Sequence, residues 1–299
     1  MLAAKVSREF SAIPAGAPIR LQKQTSNLFR PRAAITNPGL DVSAFDGVLE
    51  VDPIRRTAQV LGMTTYEHLV DATLAHGLAP MCVPQLRTIT LGGAVTGLGI
   101  ESASFRQGTP HESVIAMDIL TGAGEILTVT GAADDPGRGL FYGFPNSYGS
   151  LGYALRLEIE LEQVRPFVEI RHVPYPSAAA MAAAITQFVE TPSFEGQTID
   201  FIDGTVFSPS EQYLTLGFMV DEVPTGLSVS DYTGMDIYYR SIQAKTRDCL
   251  TIHDYLWRWD TDWFWCSRAF GAQRPFIRRL WPKRWLRSDV YWKFVAFDR

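Results

Sequence analysis

Between Thr90 and Ser102 the chain reads TLGGAVTGLGIES, which sets Gly92, Gly93, Gly97 and Gly99 close together, with Gly108 shortly after. Glycines this dense let backbone N–H groups reach a ligand that a Cβ would hold off, and consecutive N–H groups form an anion-binding nest. The pyrophosphate or ring of a cofactor would suit such a cradle. Two standard motifs fail on spacing. The dinucleotide fingerprint needs an amphipathic helix after its glycines, but the residues after Gly99 are polar and aperiodic. A P-loop needs Lys and then Ser or Thr after its last glycine, and neither follows. A cluster of glycine turns or bulges without a ligand explains the composition about equally well.

A second group of chemically capable residues lies late in the chain: Tyr238, Tyr239, His253, Asp254, Tyr255, Asp260 and Asp262. A Tyr or His in such a cluster could serve as a general acid, although a partly buried Tyr more often packs its ring and hydrogen-bonds its hydroxyl. His68 and His76 fall on a predicted helix and face solvent. His111 follows the glycine segment and could touch a ligand there, but a satisfied surface His is the commoner case. Cys82, Cys249 and Cys266 are distant and odd in number, so neither a disulfide framework nor a metal cage is expected, and a reducing cytoplasm is the default compartment.

The elements that must position these groups are legible from periodicity. Val48 to Val51 and Thr57 to Met63 read as a hairpin-like pair of strands around Asp52-Pro53. Thr64 and Glu67 have capping-box spacing for a helix with Tyr66, Leu69, Val70 and Leu74 on one face and Gly77 as its stop. Strands are expected from Val114 to Leu120 and from Glu125 to Thr130. Leu155, Leu157, Ile159 and Leu161 alternate with charged residues and predict one buried and one wet face. After Arg165-Pro166 the texture changes. An Ala-rich helix capped by Ser177 comes next, then strands at Thr198 to Phe201 and Val206-Phe207 flanking Asp203-Gly204, and another at Tyr213 to Val220. The fold class is α+β, in two domains, 1–165 and 166–299.

A length of 299 residues fits two domains at roughly 100–200 residues each. Apolar residues make 46% and charged residues 20%, which excludes wholesale disorder and a membrane bundle. The net charge is −5, but from Leu256 to Arg299 ten Lys or Arg face four Asp or Glu, leaving −11 on the rest. Nucleic acid is therefore not an expected partner. All seven Trp fall in that basic tail, six of them in WRWDTDWFWCSRAF and RPFIRRLWPKRWLR. The pattern is compatible with a membrane interface or an apolar cleft, and most simply with a core that has a solvated basic edge. Lys5, Arg8 and Glu9 interrupt the place where a signal peptide would need its apolar run.

Thr90 to Ser102, Gly108, the hairpin ending in Leu127, Leu140-Phe141-Tyr142 and Tyr148-Gly149-Ser150-Leu151-Gly152 follow one another in an order that resembles the PCMH-type FAD domain of the vanillyl-alcohol-oxidase superfamily. Within it the chain is most similar to the Diminuto/24-dehydrocholesterol reductase (delta-24 sterol reductase) group, through the glycine pair, Gly-x-Gly-Ile-Glu-Ser, Leu-Phe-Tyr, Asp254-Tyr255 and the Trp-rich tail. The resemblance implies an FAD-binding domain over 1–165, with an abbreviated N-terminal lobe, and an incomplete α+β cap or substrate domain over 166–299. It implies a pyrophosphate loop at Lys23 to Asn27, with Thr25, Ser26 and Asn27 on phosphate oxygens and Lys23 offsetting their charge. The rest of the FAD site would be Thr90, Leu91, Gly92, Gly93, Ala94, Val95, Thr96, Gly97, Leu98, Gly99, Ile100, Glu101 and Ser102. No His lies in the first loop, so the FAD is expected to be non-covalent.

The function so implied is reduction of an isolated C=C bond of a sterol-like or isoprenoid substrate, with NADPH as a transient donor and Tyr255 or His253 as the proton source. Trp257, Trp259, Trp263 and Trp265 would supply an apolar wall. Two alternatives are an FAD-dependent oxidase or dehydrogenase of a sugar, lactone or alcohol, and an inactive or fragmentary family member, because relatives return to the FAD domain after the cap. The expected partners are an apolar small molecule and, peripherally, an anionic membrane. The expected location is cytoplasmic.

Overall fold

The computed structural model describes residues 2–14, 16–17, 19–22 and 39–290. The fold is α+β, and the chain divides into two units: 1–84, 88–99 and 109–162 form the first, and 85–87, 100–108 and 163–299 the second. Among the described residues no helix is long and apolar enough to cross a membrane.

The first unit is built on a sheet in the order Val48–Asp52, Thr57–Leu61, Tyr153–Gln163, Val114–Leu120, Ile126–Thr130, with Leu78–Pro80 also paired to the long strand Tyr153–Gln163. The predicted alternation holds on that long strand. Leu155, Leu157, Ile159 and Leu161 are buried. Arg156, on the other face, lies opposite Asp118 in register and donates to it at 2.8 and 3.2 Å. A core of Val6, Leu40, Val42, Phe45, Leu120 and Leu155 is closed by Phe10 of the first helix, Leu2–Ser11.

The helix Tyr66–Leu74 buries Tyr66, Leu69, Val70 and Thr73, but its cap is Thr65, whose side chain accepts from the His68 N–H. Thr64 is not free to cap: its hydroxyl accepts from Gly47 N at 2.8 Å and donates to Gly47 O at 3.0 Å. His68 and His76 are exposed.

The second unit carries an antiparallel sheet in the order Phe201–Ser208, Glu211–Val220, Phe167–Tyr175, Arg247–Thr251. The expected break at Asp203-Gly204 is absent. The strand Phe201–Ser208 runs straight through it, because Thr205, Val206 and Phe207 favour extended backbone and the chain reverses only at Pro209-Ser210. One face of this sheet is apolar: Leu214, Leu216 and Phe218 pack with Phe188 and Ile185 of the helix Ala178–Glu190, which Ser177 caps. The opposite face is mixed, with buried polar groups beside Val168, Ile170, Phe201 and Leu250. Asp203, Thr215 and His172 lie side by side across three strands, since Thr215 is in register with both of the others.

Candidate cofactor-binding site

The glycine segment is a short helix, Leu91–Thr96, not the open nest expected from its composition. The first four N–H groups of a helix have no partner within it. Here the chain supplies three of them, Leu91 N donating to Thr64 O at 2.9 Å, Gly92 N to Gly62 O at 2.9 Å and Gly93 N to Thr90 Oγ1 at 3.3 Å, and the helical ladder begins with Ala94 N to Thr90 O at 2.9 Å. Those amides hold the fold together and are not available to a phosphate.

The glycines therefore divide by role. A Cβ on Gly92 would lie 2.8 Å from the Gly62 carbonyl oxygen, so Gly92 is required for backbone packing. Gly62 is itself hemmed in, its Cβ position being 2.0 Å from Ala154 O. Gly93 differs. It is exposed, and an added Cβ would meet only the movable Thr90 hydroxyl. An exposed glycine inside a helix costs about 0.5–1 kcal/mol relative to alanine, and the fold gives no reason for it.

The chain after the helix is open. Leu98 is 59% and Ile100 74% exposed, and the N–H groups of Leu98, Gly99 and Ile100 have no partner among the described residues. Beside the helix, Asn146 N reaches Val95 O at 3.3 Å and Tyr148 N reaches Thr96 O at 2.9 Å. Asn146, Tyr148 and Gly149 have φ of 58°, 52° and 85°, and the buried Ser147 hydroxyl between them has no partner. Left-handed backbone with an orphaned hydroxyl is the kind of strain found where a ligand completes the site.

Exposed Gly93, the unpaired amides from Leu98 to Ile100 and the Ser147 hydroxyl fit a flavin nucleotide: Leu98 offers apolar surface to a ring, and the amides and hydroxyl offer hydrogen bonds to its oxygens. Gly93 and Leu98 to Ile100 are among the residues read from the sequence as a cofactor site, and Ser147 is not. The signal for it was the glycine-flanked turn just before the long strand. Lys23, Thr25, Ser26 and Asn27 lie outside the described residues. His111 is satisfied locally, its Nδ1 2.9 Å from Thr109 Oγ1.

In the second unit, Thr251 caps the helix Ile252–Leu256. His253 and Tyr255 lie on it but point apart. His253 is partly exposed, with Nδ1 3.2 Å from Asp254 Oδ1. Tyr255 is fully buried, its ring 4.6 Å from that of Phe201 and beneath the Arg258 guanidinium at 3.7 Å, and its hydroxyl donates to Ser102 Oγ at 3.4 Å. Burial drives the Tyr255 and Tyr238 hydroxyls well above the usual tyrosine range.

Arg258 pairs with Asp203, and its Nη1 donates to Tyr255 O at 2.6 Å. Near this pair, the Glu101 carboxylate accepts from Gln85 N at 3.3 Å, and burial together with the charge of Asp203 pushes its pKa up to about 8. Glu101 therefore holds a proton at neutral pH. His172 is the converse: burial pushes it down to about 4, so it is neutral, with Nδ1 2.9 Å from Thr215 Oγ1.

The other late acids are structural. Asp260 accepts from Arg87 N at 3.0 Å and from Ser288 N at 3.3 Å, and Asp262 accepts from Arg278 at 2.6 and 2.8 Å. Tyr239 donates to Gln273 at 2.8 Å. The expected tryptophan wall is mostly core: Trp257, Trp259 and Trp263 are buried, and only Trp265 of the four is exposed. Trp257 lies under the Arg87 guanidinium at 5.2 Å, so the protein itself covers that surface.

Residues 9–130 match the family model described as FAD binding domain. Over this part the chain is similar to FAD-binding proteins. Among individual relatives it is similar to the Delta(24)-sterol reductase of Arabidopsis thaliana, 28% identical over 180 residues, which are 60% of this chain and 32% of the relative. The Delta(24)-sterol reductase of Homo sapiens is 27% identical over 199 residues, 66% of this chain and 37% of the relative. Cytokinin dehydrogenase 5 of Arabidopsis thaliana is 27% identical over 157 residues, 52% of this chain and 28% of the relative. The chain spans about a third of the length of the curated relatives it matches.

Proposed function

We propose that this protein is an FAD-binding oxidoreductase that reduces an isolated carbon–carbon double bond of a sterol-like or isoprenoid substrate, with non-covalent FAD and with NADPH as a transient donor. The observation that carries the reading is the open end of the glycine segment, Leu98 to Ile100, in a chain similar to proteins named Delta(24)-sterol reductase. FAD, when bound, supplies hydride transfer. The protein's part is to present Leu98 and the free amides to the cofactor and to hold a proton for the second carbon of the bond. Burial makes the Tyr255 hydroxyl a weaker acid than an ordinary tyrosine, which counts against it as that proton's source.

A dehydrogenase reading, in which the flavin is reduced by its substrate, is favoured by the likeness to a cytokinin dehydrogenase. Anaerobic flavin spectroscopy separates the two. The purified protein, photoreduced, should be reoxidised by an apolar alkene of the sterol side-chain type. Reduction of the oxidised flavin by amines, sugars or alcohols, with no response to the alkene, rejects the reductase reading. Flavin that stays with the pellet on acid precipitation rejects the non-covalent one.

A further inference from the structure

The helix Pro275–Leu280 is packed the opposite way from an ordinary surface helix. Its buried residue is Arg278, whose guanidinium meets Asp262 at 2.6 and 2.8 Å, Gly234 O at 2.7 Å and Asp236 O at 3.1 Å. Its outward residues are Phe276, 78% exposed, and Leu280, 70% exposed, one turn apart with Arg279 beside them. Turning the helix would cover the apolar pair and release the arginine, and the four bonds to Arg278 prevent it. The exposure is thus fixed by the fold.

Around this apolar pair exposed basic residues outnumber the exposed acids beside it, Asp231 and Asp236. Arg274, Arg279, Lys283 and Arg284 are exposed, and no Asp or Glu occurs from Trp263 through Ser288. Arg274, Arg279 and Arg284 make no ion pair among the described residues, while Lys283 acts on Asp231. We propose that this face, the outward side of Pro275–Leu280 with the turn Lys283–Leu286, docks on an anionic lipid bilayer.

The chemistry selects that occupant over others. Cations flanking exposed aromatic and aliphatic groups match a bilayer interface, where acyl chains receive the apolar side chains and phosphate or serine carboxylate groups receive the guanidinium groups. A second copy would set this cationic face against its own like charges. A polynucleotide would engage the cations but leave Phe276 and Leu280 without the lipid-like surroundings they suit, and the chain's net charge of −5 opposes it. The proposal is independent of the reaction and fails or stands without it.

Vesicle co-sedimentation of the whole chain tests it. The protein should pellet with phosphatidylcholine vesicles that contain phosphatidylserine, pellet poorly with phosphatidylcholine alone, and release as salt rises. Arg279→Glu with Arg284→Glu should weaken binding by at least about 10-fold, and Phe276→Ser with Leu280→Ser comparably. Both pairs are exposed, so circular dichroism should be unchanged. Wild-type protein that stays in the supernatant, or that binds neutral vesicles equally well, overturns the proposal. So does undiminished binding by the charge-reversed variant. A dimer that dissociates in the Phe276→Ser, Leu280→Ser variant, or RNA binding without lipid binding, assigns the face to another occupant and overturns it as well.

Discussion

The two units place their charges in opposite ways. In the first, Arg156–Asp118 and Arg55–Glu158 lie on the wet face of the sheet, with Arg156 31% and Arg55 63% exposed. In the second, Arg278–Asp262 and Arg258–Asp203 lie inside, with each arginine side chain 2% exposed. A surface pair is worth little, because water already solvates both partners. A buried pair is held by mutual need: its net stabilisation is small, but either partner alone is a stranded charge. The second unit therefore uses ions as internal struts, and its apolar side chains Phe276 and Leu280 are held outside by one of them.

The sharpest way to break that comparison is to unpair one strut. Arg278→Met should destabilise the protein by about 3–5 kcal/mol, since it leaves the buried Asp262 carboxylate without its counter-charge, with the Ser267 hydroxyl at 2.6 Å still donating to it. Adding Asp262→Leu should restore much of the loss. Arg156→Met, the equivalent change in the first unit, should cost about 1 kcal/mol or less. Urea midpoints of the variants make the measurement, and equal losses at Arg278 and Arg156 would remove the distinction between the units.

Glu101 sharpens it through pH. Its pKa is about 8 in the folded chain against an ordinary 4.5, so between these values the unfolded state gives up a proton that the folded state keeps. Stability from this group is full below about pH 4.5 and is lost as pH rises toward about 8. At up to about 1.4 kcal/mol per pH unit, the loss amounts to about 3 kcal/mol between pH 5 and pH 7.5. Glu101→Gln keeps the acceptor and cannot ionise, so its urea midpoint should stay flatter over that window. Parallel pH profiles for the two proteins would show that Glu101 titrates normally.

How legible each region was follows from the same contrast. The strand pairs of the first unit and the alternation from Leu155 to Leu161 were readable because a half-wet sheet writes its burial into every second residue. The mixed face of the second sheet writes nothing comparable: Asp203, His172 and Thr215 look like surface residues, and only register brings them together. Asp260 and Asp262 were read as acids available for chemistry for that reason, whereas Arg87, Ser288 and Arg278 had already claimed them. For the late tryptophans the simplest sequence reading, core with a basic edge, describes Trp257, Trp259 and Trp263, and the ligand wall implied by the resemblance does not. In the glycine segment the cluster was visible but its division of labour was not, because Gly92 faces Gly62 only after some thirty residues of chain have folded back.

That division supports the finest test. Gly92→Ala puts a methyl group 2.8 Å from a backbone oxygen that cannot swing aside, and should cost about 1–3 kcal/mol by overpacking. Gly93→Ala meets only the Thr90 hydroxyl, which can turn, and alanine is the better helix former by up to about 1 kcal/mol, so the change in stability should be near zero or slightly favourable. If Gly93 is glycine because a flavin passes close to its Cα, Gly93→Ala should nonetheless lose bound FAD, and Gly93→Val should be colourless while still folded. Urea titration and flavin absorbance on the same samples give both quantities. A Gly93→Val protein that retains FAD at the wild-type ratio would leave the exposed glycine with no role at the cofactor and would move the site to Leu98 to Ile100 alone.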